Sequence, residues 1–131
     1  MKKKTVLIVE DELDMRIFIS TLLETSGYQP VMTRVGTEGM RKAKDVLPDL
    51  IILDVMMPGE GGVQMFRQLK TDDTLCSIPV IMLSAVAQKT FTHYLNMVNA
   101  RLKDPIPDPE AYIEKPPEAE DLLKMTATLI G

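Results

Sequence analysis

Short runs of apolar residues alternate with longer segments of helical period along the whole chain. Apolar runs of three to five residues are typical of strands, and nearly continuous runs indicate strands that helices cover on both faces. Five such runs predict five strands, the second weaker than the others. They are Thr5 to Val9, Gln29 to Thr33, Leu50 to Leu53, Val80 to Leu83 and Ala111 to Ile113.

Each predicted strand is followed by apolar residues spaced three and four positions apart, the period of an amphipathic helix. These sets predict five helices, including a long fourth helix that reaches Leu102. The alternation of strands and helices predicts an α/β fold with a parallel sheet wrapped by helices. The sets are Met15, Phe18, Ile19 and Leu22; Met40, Ala43 and Leu47; Val63 and Phe66; Phe91, Tyr94, Leu95, Val98 and Leu102; and Leu122, Met125 and Leu129.

The least regular stretch, Asp104 to Pro109, has three prolines in five positions. Proline lacks a backbone donor and favours extended structure, so this stretch predicts a stiff connector to the last strand. A surface that docks a partner is the alternative interpretation.

Composition narrows the class of protein. With 131 residues, 45% of them hydrophobic, the chain predicts one globular domain spanning residues 1–131. Its apolar runs are far shorter than the roughly 20 residues of a membrane helix, which argues against a membrane partner. The single Cys76 cannot form an internal disulfide or a zinc site, so we expect a cytoplasmic protein. A net charge of −4 without a basic cluster argues against direct nucleic-acid binding.

Polar residues follow four of the five predicted strands. Because the carboxyl ends of parallel strands meet at one edge of the sheet, we expect these side chains to converge there. Carboxylates that lie together repel one another unless a cation sits among them, and hard oxygen ligands suit Mg²⁺. The polar residues are Glu10, Asp11 and Glu12; Asp54; Ser84; and Glu114 and Lys115.

The same set of residue types suits transfer of a phosphoryl group onto oxygen. Asp54 would be the nucleophile that becomes an aspartyl phosphate, while the metal and Lys115 would neutralise charge on the phosphoryl oxygens. An acidic edge with an incidental salt bridge would explain any one of these residues, but it explains the whole set poorly.

The chain resembles the receiver domains of bacterial two-component response regulators, over nearly its whole length. The resemblance implies a doubly wound sheet of strand order 2-1-3-4-5 with helices on both faces, and a cis Lys115–Pro116 bond. It is carried by Glu10 and Asp11; Asp54 with Val55, Met56, Met57, Pro58 and Gly59; Ser84 and Ala85; and Lys115 and Pro116.

The resemblance also implies a role for each matching residue. Asp54 is then the phosphoacceptor. The implied Mg²⁺ ligands are Asp11, Asp54 and the backbone carbonyl of Met56, with Glu10 binding directly or through water. The implied contacts of the phosphoryl group are Ser84, Ala85, Lys115 and Met56. The implied switch residues are Ser84, whose hydroxyl moves toward the phosphoryl group, and Tyr112, which turns inward.

By the same resemblance, a sensor histidine kinase supplies the phosphoryl group, and a downstream protein docks on helix 4, strand 5 and helix 5. The chain would catalyse only its own phosphorylation and dephosphorylation. Its segment from Ser84 to Lys115 is longer than is usual in the family, and Pro117 stands where many relatives have an aromatic residue. We also expect a long-lived aspartyl phosphate, because neither Met56 nor Val86 can orient a hydrolytic water.

Two other functions remain open at this point. One is a binding module with the receiver fold that is never phosphorylated, which the intact acidic pair, Asp54, Ser84 and Lys115 disfavour. The other is a Mg²⁺-dependent phosphatase with an aspartyl nucleophile. That interpretation is weaker because Met56 stands where a general acid is expected.

Overall fold

The computed structural model describes residues 2–55 and 61–131. Within them, five strands alternate with five helices. The strands are β1 (Thr5–Val9), β2 (Gln29–Thr33), β3 (Leu50–Asp54), β4 (Val80–Ser84) and β5 (Ala111–Glu114). The helices are α1 (Leu13–Thr25), α2 (Gly36–Val46), α3 (Gly61–Thr71), α4 (Gln88–Asn99) and α5 (Ala119–Ile130). All five predicted strands are confirmed, three of them one residue longer at the carboxyl end.

The strands form one parallel sheet in the order β2-β1-β3-β4-β5, which confirms the predicted topology. Strands β1 and β3 lie side by side at the centre, so the first turn of the chain and the end of β3 reach the same edge. Along β1, Val9 pairs with Leu53, one residue before Glu10 and Asp54 respectively. The sheet register therefore brings these two carboxylates together.

Helices cover both faces of the sheet. Alternate residues of the central strands point to opposite faces, and each set packs under different helices. On one face Leu7, Ile51 and Leu53 pack with apolar residues of α2, α3 and α4. On the other, Val6, Ile8 and Ile52 pack with residues of α1 and α5. This double burial explains why the central strands are continuously apolar in sequence.

Helix α4 is shorter than predicted. It has 12 residues and ends at Asn99, so it is no longer than α1, which has 13. Leu102 continues the helical period but lies beyond the helix, where it still packs against the core. The apolar spacing therefore correctly predicted that Leu102 contacts the core, but wrongly predicted that it belongs to the helix. Residues 100–110 connect the end of α4 to the start of β5.

The proline-rich connector is anchored in the core. Ile106 is buried and belongs to the same apolar cluster as Phe91 and Leu95 of α4. The side-chain amide of Asn99 donates a hydrogen bond to the Ile106 carbonyl at 2.8 Å, and its oxygen accepts one from the Ile106 amide at 2.7 Å. Ile106 is thus unavailable to a partner, whereas its neighbour Pro107 is exposed.

A largely buried lysine side chain joins three segments at the amino-terminal edge of the sheet. Lys70 of α3 donates hydrogen bonds to the carbonyls of Cys76 and Ile78 and to both carboxylate oxygens of Glu110. Oxygen Oε1 of Glu110 also accepts a hydrogen bond from Val80, the first residue of β4, at 2.7 Å. We call Lys70 and Glu110 the amino-edge ion pair.

None of the helices in the described ranges has the length and apolar character required to cross a bilayer.

Candidate functional site

The turn between β1 and α1 carries the first two carboxylates. Glu10 is 1% exposed, and its backbone amide donates to the carbonyl of Thr33 on β2 at 3.1 Å. One carboxylate oxygen of Glu10, Oε2, accepts a hydrogen bond from the amide of Glu12 at 3.0 Å. Hydrogen bonds therefore hold the turn to the sheet and stabilise the turn internally. The side chain of Asp11, next to Glu10, is exposed.

Asp54 is the last residue of β3 and is only 9% exposed. The chain passes close to it again at the start of α3, where a Cβ atom on Gly62 would lie 2.6 Å from the Asp54 carbonyl oxygen. No side chain fits in that space without displacing backbone. Gly62 is thus required beside the site, a constraint that the sequence pattern does not reveal because the contact joins residues in different elements.

Lys115 lies between the two buried carboxylates. Its Nζ atom is 2.8 Å from Glu10 Oε1 and 3.0 Å from Asp54 Oδ1. Both contacts are ion pairs, but neither oxygen has a partner in the orientation that a hydrogen bond requires among the described residues. The Lys115 amide donates to the Ser84 carbonyl at 2.8 Å, and the bond to Pro116 is cis, as predicted.

The pKa values of Asp54 and Lys115 are both raised, but for different reasons. Burial raises the pKa of Asp54 from 3.8 to about 7, helped by the charge of Glu10 and only partly offset by Lys115. Burial alone would lower the pKa of Lys115, but its ion pairs with Glu10 and Asp54 outweigh burial and raise that pKa. Lys115 is therefore charged at neutral pH, while burial disfavours the carboxylate form of Asp54.

The donor set fits a divalent cation. Glu10, Asp11 and Asp54 each offer one carboxylate oxygen, and these oxygens lie within 4.8 Å of one another. Three carboxylates share one lysine among the described residues, and their mutual repulsion would be relieved by a hard cation such as Mg²⁺. Its charge would also lower the pKa of Asp54 and favour the nucleophilic carboxylate.

Ser84 and Tyr112 meet at the loop that leads into α4. The buried Ser84 hydroxyl oxygen accepts a hydrogen bond from the Val86 amide at 3.0 Å, and the Tyr112 hydroxyl donates to the Val86 carbonyl at 2.6 Å. The Tyr112 ring packs against Phe91, with ring centroids 5.4 Å apart. Burial raises the pKa of Tyr112, which keeps its hydroxyl protonated as a donor at neutral pH.

Comparison with known proteins decides the family. The family model for the response regulator receiver domain matches residues 6–127. The chain belongs to that family. It is a receiver domain of two-component signalling, a signalling module whose relatives work with histidine kinases and downstream proteins.

Relatives of similar length support this assignment. The chain is 36% identical over 129 residues to the polar-differentiation response regulator DivK of Brucella anthropi, covering 98% of this chain and 97% of DivK. It is 30% identical to the signal receiver domain of a histidine kinase from Syntrophus aciditrophicus, with a TM-score of 0.80 over 97% of this chain and 89% of that one. The fold also matches the chemotaxis protein CheY4 of Vibrio cholerae, at 24% identity, a TM-score of 0.81 and coverage of 98% and 99%.

Most of the residues that the receiver resemblance singled out lie together at the carboxyl edge of the sheet. Lys115 contacts both Glu10 and Asp54, and a carboxylate oxygen of Asp11 lies within 4.8 Å of theirs. The backbone carbonyl of Ser84 accepts a hydrogen bond from the Lys115 amide. Ala85 follows Ser84 and is exposed. The predicted roles of Met56, as a carbonyl ligand and phosphoryl contact, lie outside the described residues.

Arg16, like Gly62, is a residue of this edge that the sequence pattern does not reveal. Arg16, on the first turns of α1, reaches back to the β1–α1 turn with its guanidinium group. No spacing rule for metal or phosphoryl sites includes an arginine at that position, and only the fold reveals the contact.

Proposed function

We propose that this receiver takes a phosphoryl group from the phosphohistidine of a sensor histidine kinase onto Asp54, with Mg²⁺ held by Glu10, Asp11 and Asp54. The Met56 carbonyl is the fourth ligand in this proposal. The observation that carries it is the grouping of the buried Asp54 carboxylate with those of Glu10 and Asp11, within 4.8 Å of one another, beside Lys115 Nζ at 3.0 Å from Asp54. Clustered carboxylates beside a lysine are unfavourable in a purely structural core and suited to a site that binds a cation and a phosphoryl group.

In this proposal, the Asp54 carboxylate oxygen attacks phosphorus in line with the departing imidazole. A new O–P bond forms as the P–N bond breaks, and the imidazole nitrogen keeps the electron pair. Lys115 exchanges part of its ion pair with Asp54 for an ion pair with the phosphoryl oxygens. Mg²⁺, when bound, supplies charge neutralisation for those oxygens. Catalysis is confined to the chain's own phosphorylation and the return hydrolysis.

We further propose that Val86 transmits the change to the surface. Its amide and carbonyl are held by Ser84 and Tyr112 respectively, so a shift of the Ser84 hydroxyl toward the phosphoryl group moves the backbone that leads into α4. Ser84 and Tyr112 are both switch residues in this proposal. The Ser84 hydroxyl moves toward the phosphoryl group, and Tyr112, whose hydroxyl donates to the Val86 carbonyl, turns inward with the loop.

Two surfaces are proposed for partners. The downstream protein docks on α4, β5 and α5, next to Tyr112. The kinase approaches the open edge above Asp54 and the first turns of α1, where Leu13 and Ile17 are exposed apolar residues. Within the connector, Pro107 is the residue to replace in a docking test, because replacing the buried Ile106 would alter the core as well.

The decisive experiment is intact mass after incubation with phosphoramidate and Mg²⁺. We expect a phosphoryl-sized gain that disappears in Asp54→Asn and after removal of Mg²⁺ with a chelator. Asp45→Asn, an exposed carboxylate on α2, serves as the matched control and should still be phosphorylated.

Different outcomes would favour the two alternative functions. If the wild-type chain gains no mass from phosphoramidate, acetyl phosphate or a panel of phosphorylated kinases, the unphosphorylated binding module becomes the better interpretation. Sustained release of phosphate from a small phosphoester, with many turnovers per Asp54, would indicate a phosphatase.

A further inference from the structure

The guanidinium group of Arg16 holds two successive carbonyl groups of the metal-ligand turn. Its Nη1 atom donates to the Glu10 carbonyl at 2.9 Å and to the Asp11 carbonyl at 3.0 Å. Charged donors form stronger hydrogen bonds than neutral ones, and here one planar group fixes two peptide units at once. Arg16 is half-buried, and its own amide continues helix α1 by donating to Glu12.

The two carboxylates of this turn are positioned in different ways. The Glu10 side chain is buried, pairs with Lys115 and accepts a bond from Glu12. The Asp11 side chain is exposed and has no hydrogen bond or ion pair to any described residue. Its location therefore depends on the backbone to which it is attached, and Arg16 holds the carbonyls on both sides of its Cα atom.

We infer that Arg16 is a positioning residue for cation binding, which acts by holding the backbone on either side of Asp11 so that its carboxylate stays within reach of Glu10 and Asp54. This inference rests on the proposed Mg²⁺ site. It assigns to Arg16 no contact with the metal or the phosphoryl group. Groups that orient metal ligands commonly change metal affinity by about tenfold or more when they are removed.

The direction of the change in Mg²⁺ affinity distinguishes a positioning role of Arg16 from an effect of its charge. A guanidinium beside a cation site repels the cation, so loss of its charge alone would tighten Mg²⁺ binding. Loss of its hydrogen bonds frees the turn and would weaken binding. A purely structural arginine would lower stability and leave the affinity of the folded protein unchanged.

The test is calorimetric titration with MgCl₂ at pH 8 and fixed ionic strength, on the wild-type chain and three variants. Arg16→Met keeps an aliphatic stem and removes every donor, and Arg16→Gln is equally uncharged but keeps an amide donor. Arg41→Met makes the same change at an exposed position on α2, on the opposite face of the sheet. Unfolding in urea establishes that each variant is folded at the titration temperature.

We expect the dissociation constant for Mg²⁺ to rise about tenfold in Arg16→Met, to rise less in Arg16→Gln, and to stay within twofold in Arg41→Met. Phosphorylation by phosphoramidate should be slow in Arg16→Met at low Mg²⁺ and return to within threefold of the wild-type rate at saturating Mg²⁺. Such a recovery would mean that the variant binds Mg²⁺ more weakly but that Asp54 still reacts normally once the ion is bound.

Three other results would contradict the positioning role of Arg16. Equal or tighter Mg²⁺ binding by Arg16→Met would overturn the inference while leaving the proposed function intact. If both Arg16 variants fail to fold where Arg41→Met folds, Arg16 is a general structural residue and the inference is wrong. If the wild-type chain itself binds no Mg²⁺, the proposed metal site fails, and the inference falls with it.

Discussion

The two edges of the sheet each hold a lysine close to carboxylate and carbonyl oxygens, yet they differ in how those oxygens are satisfied. At the amino-terminal edge, Lys70 is 7% exposed and donates to two carbonyls and to both oxygens of Glu110. At the carboxyl edge, Lys115 is paired with Glu10 and Asp54, but one oxygen of each carboxylate lacks a hydrogen bond to any described residue.

Under the proposed function, the first ion pair is structural and the second belongs to the reacting site. A fully hydrogen-bonded pair joins segments of the fold and is costly to break, whereas an incompletely bonded pair is ready to accept another ligand. The distances between lysine nitrogen and carboxylate oxygen are similar at the two edges. The edges differ in the hydrogen bonds of the individual oxygens and in exposure, since the Glu110 side chain is 36% exposed and those of Glu10 and Asp54 are 1% and 5% exposed.

The largest expected effect is on the amino-edge ion pair. Lys70→Met should lower the free energy of unfolding by about 3 kcal/mol, because Glu110 and two carbonyls lose their donor. Urea denaturation measures this loss. Glu110→Gln keeps an acceptor for the Val80 amide and should lower the free energy of unfolding by less. If the two variants lose the same free energy, the hydrogen bonds from Lys70 to the carbonyls contribute nothing to stability.

At the carboxyl edge, removal of a charge should stabilise the fold. The folded pKa of Asp54, about 7, lies above its unfolded value of 3.8, so this group favours folding at low pH and loses that contribution as pH rises through 7. Without Mg²⁺, the stability advantage of Asp54→Asn should therefore grow between pH 5 and pH 8, by on the order of 2 kcal/mol. Asp45→Asn, which replaces an exposed carboxylate on α2, is the matched control.

Mg²⁺ should stabilise only one of the two edges. A cation that binds the folded chain at ten times its dissociation constant raises the free energy of unfolding by about 1.4 kcal/mol. Thermal or urea unfolding with and without MgCl₂ should give this increment in the wild type and in Lys70→Met. The same increment in Asp11→Asn would show that the ion binds elsewhere.

The smallest expected effect on stability comes from the hydrogen bond between the Tyr112 hydroxyl and the Val86 carbonyl. Tyr112→Phe removes one hydrogen bond and keeps the ring against Phe91, so it should cost about 1 kcal/mol in unfolding. Urea denaturation measures the loss. An unchanged midpoint would mean that water replaces the hydroxyl at the Val86 carbonyl.

The sequence was sufficient to predict the sheet, because short, continuously apolar runs in a chain of this composition arise mainly from strands buried on both faces. It also predicted the convergence of Glu10, Asp54 and Lys115, since parallel strands deliver their carboxyl ends to one edge. The end of α4 was mispredicted, because burial of Leu102 outside a helix mimics the helical period. Gly62 and Arg16 were missed, because their contacts cross between elements and leave no local pattern.

The two hydrogen bonds between Asn99 and Ile106 show how a long connector can be held as firmly as a helix. A longer loop costs little additional entropy, but a loop usually adds nothing to the core. Here the connector brings its own buried isoleucine and a two-point attachment to the preceding helix. The connector therefore behaves as a small extension of the scaffold, and its exposed residues Pro105 and Pro107 become fixed features of the surface.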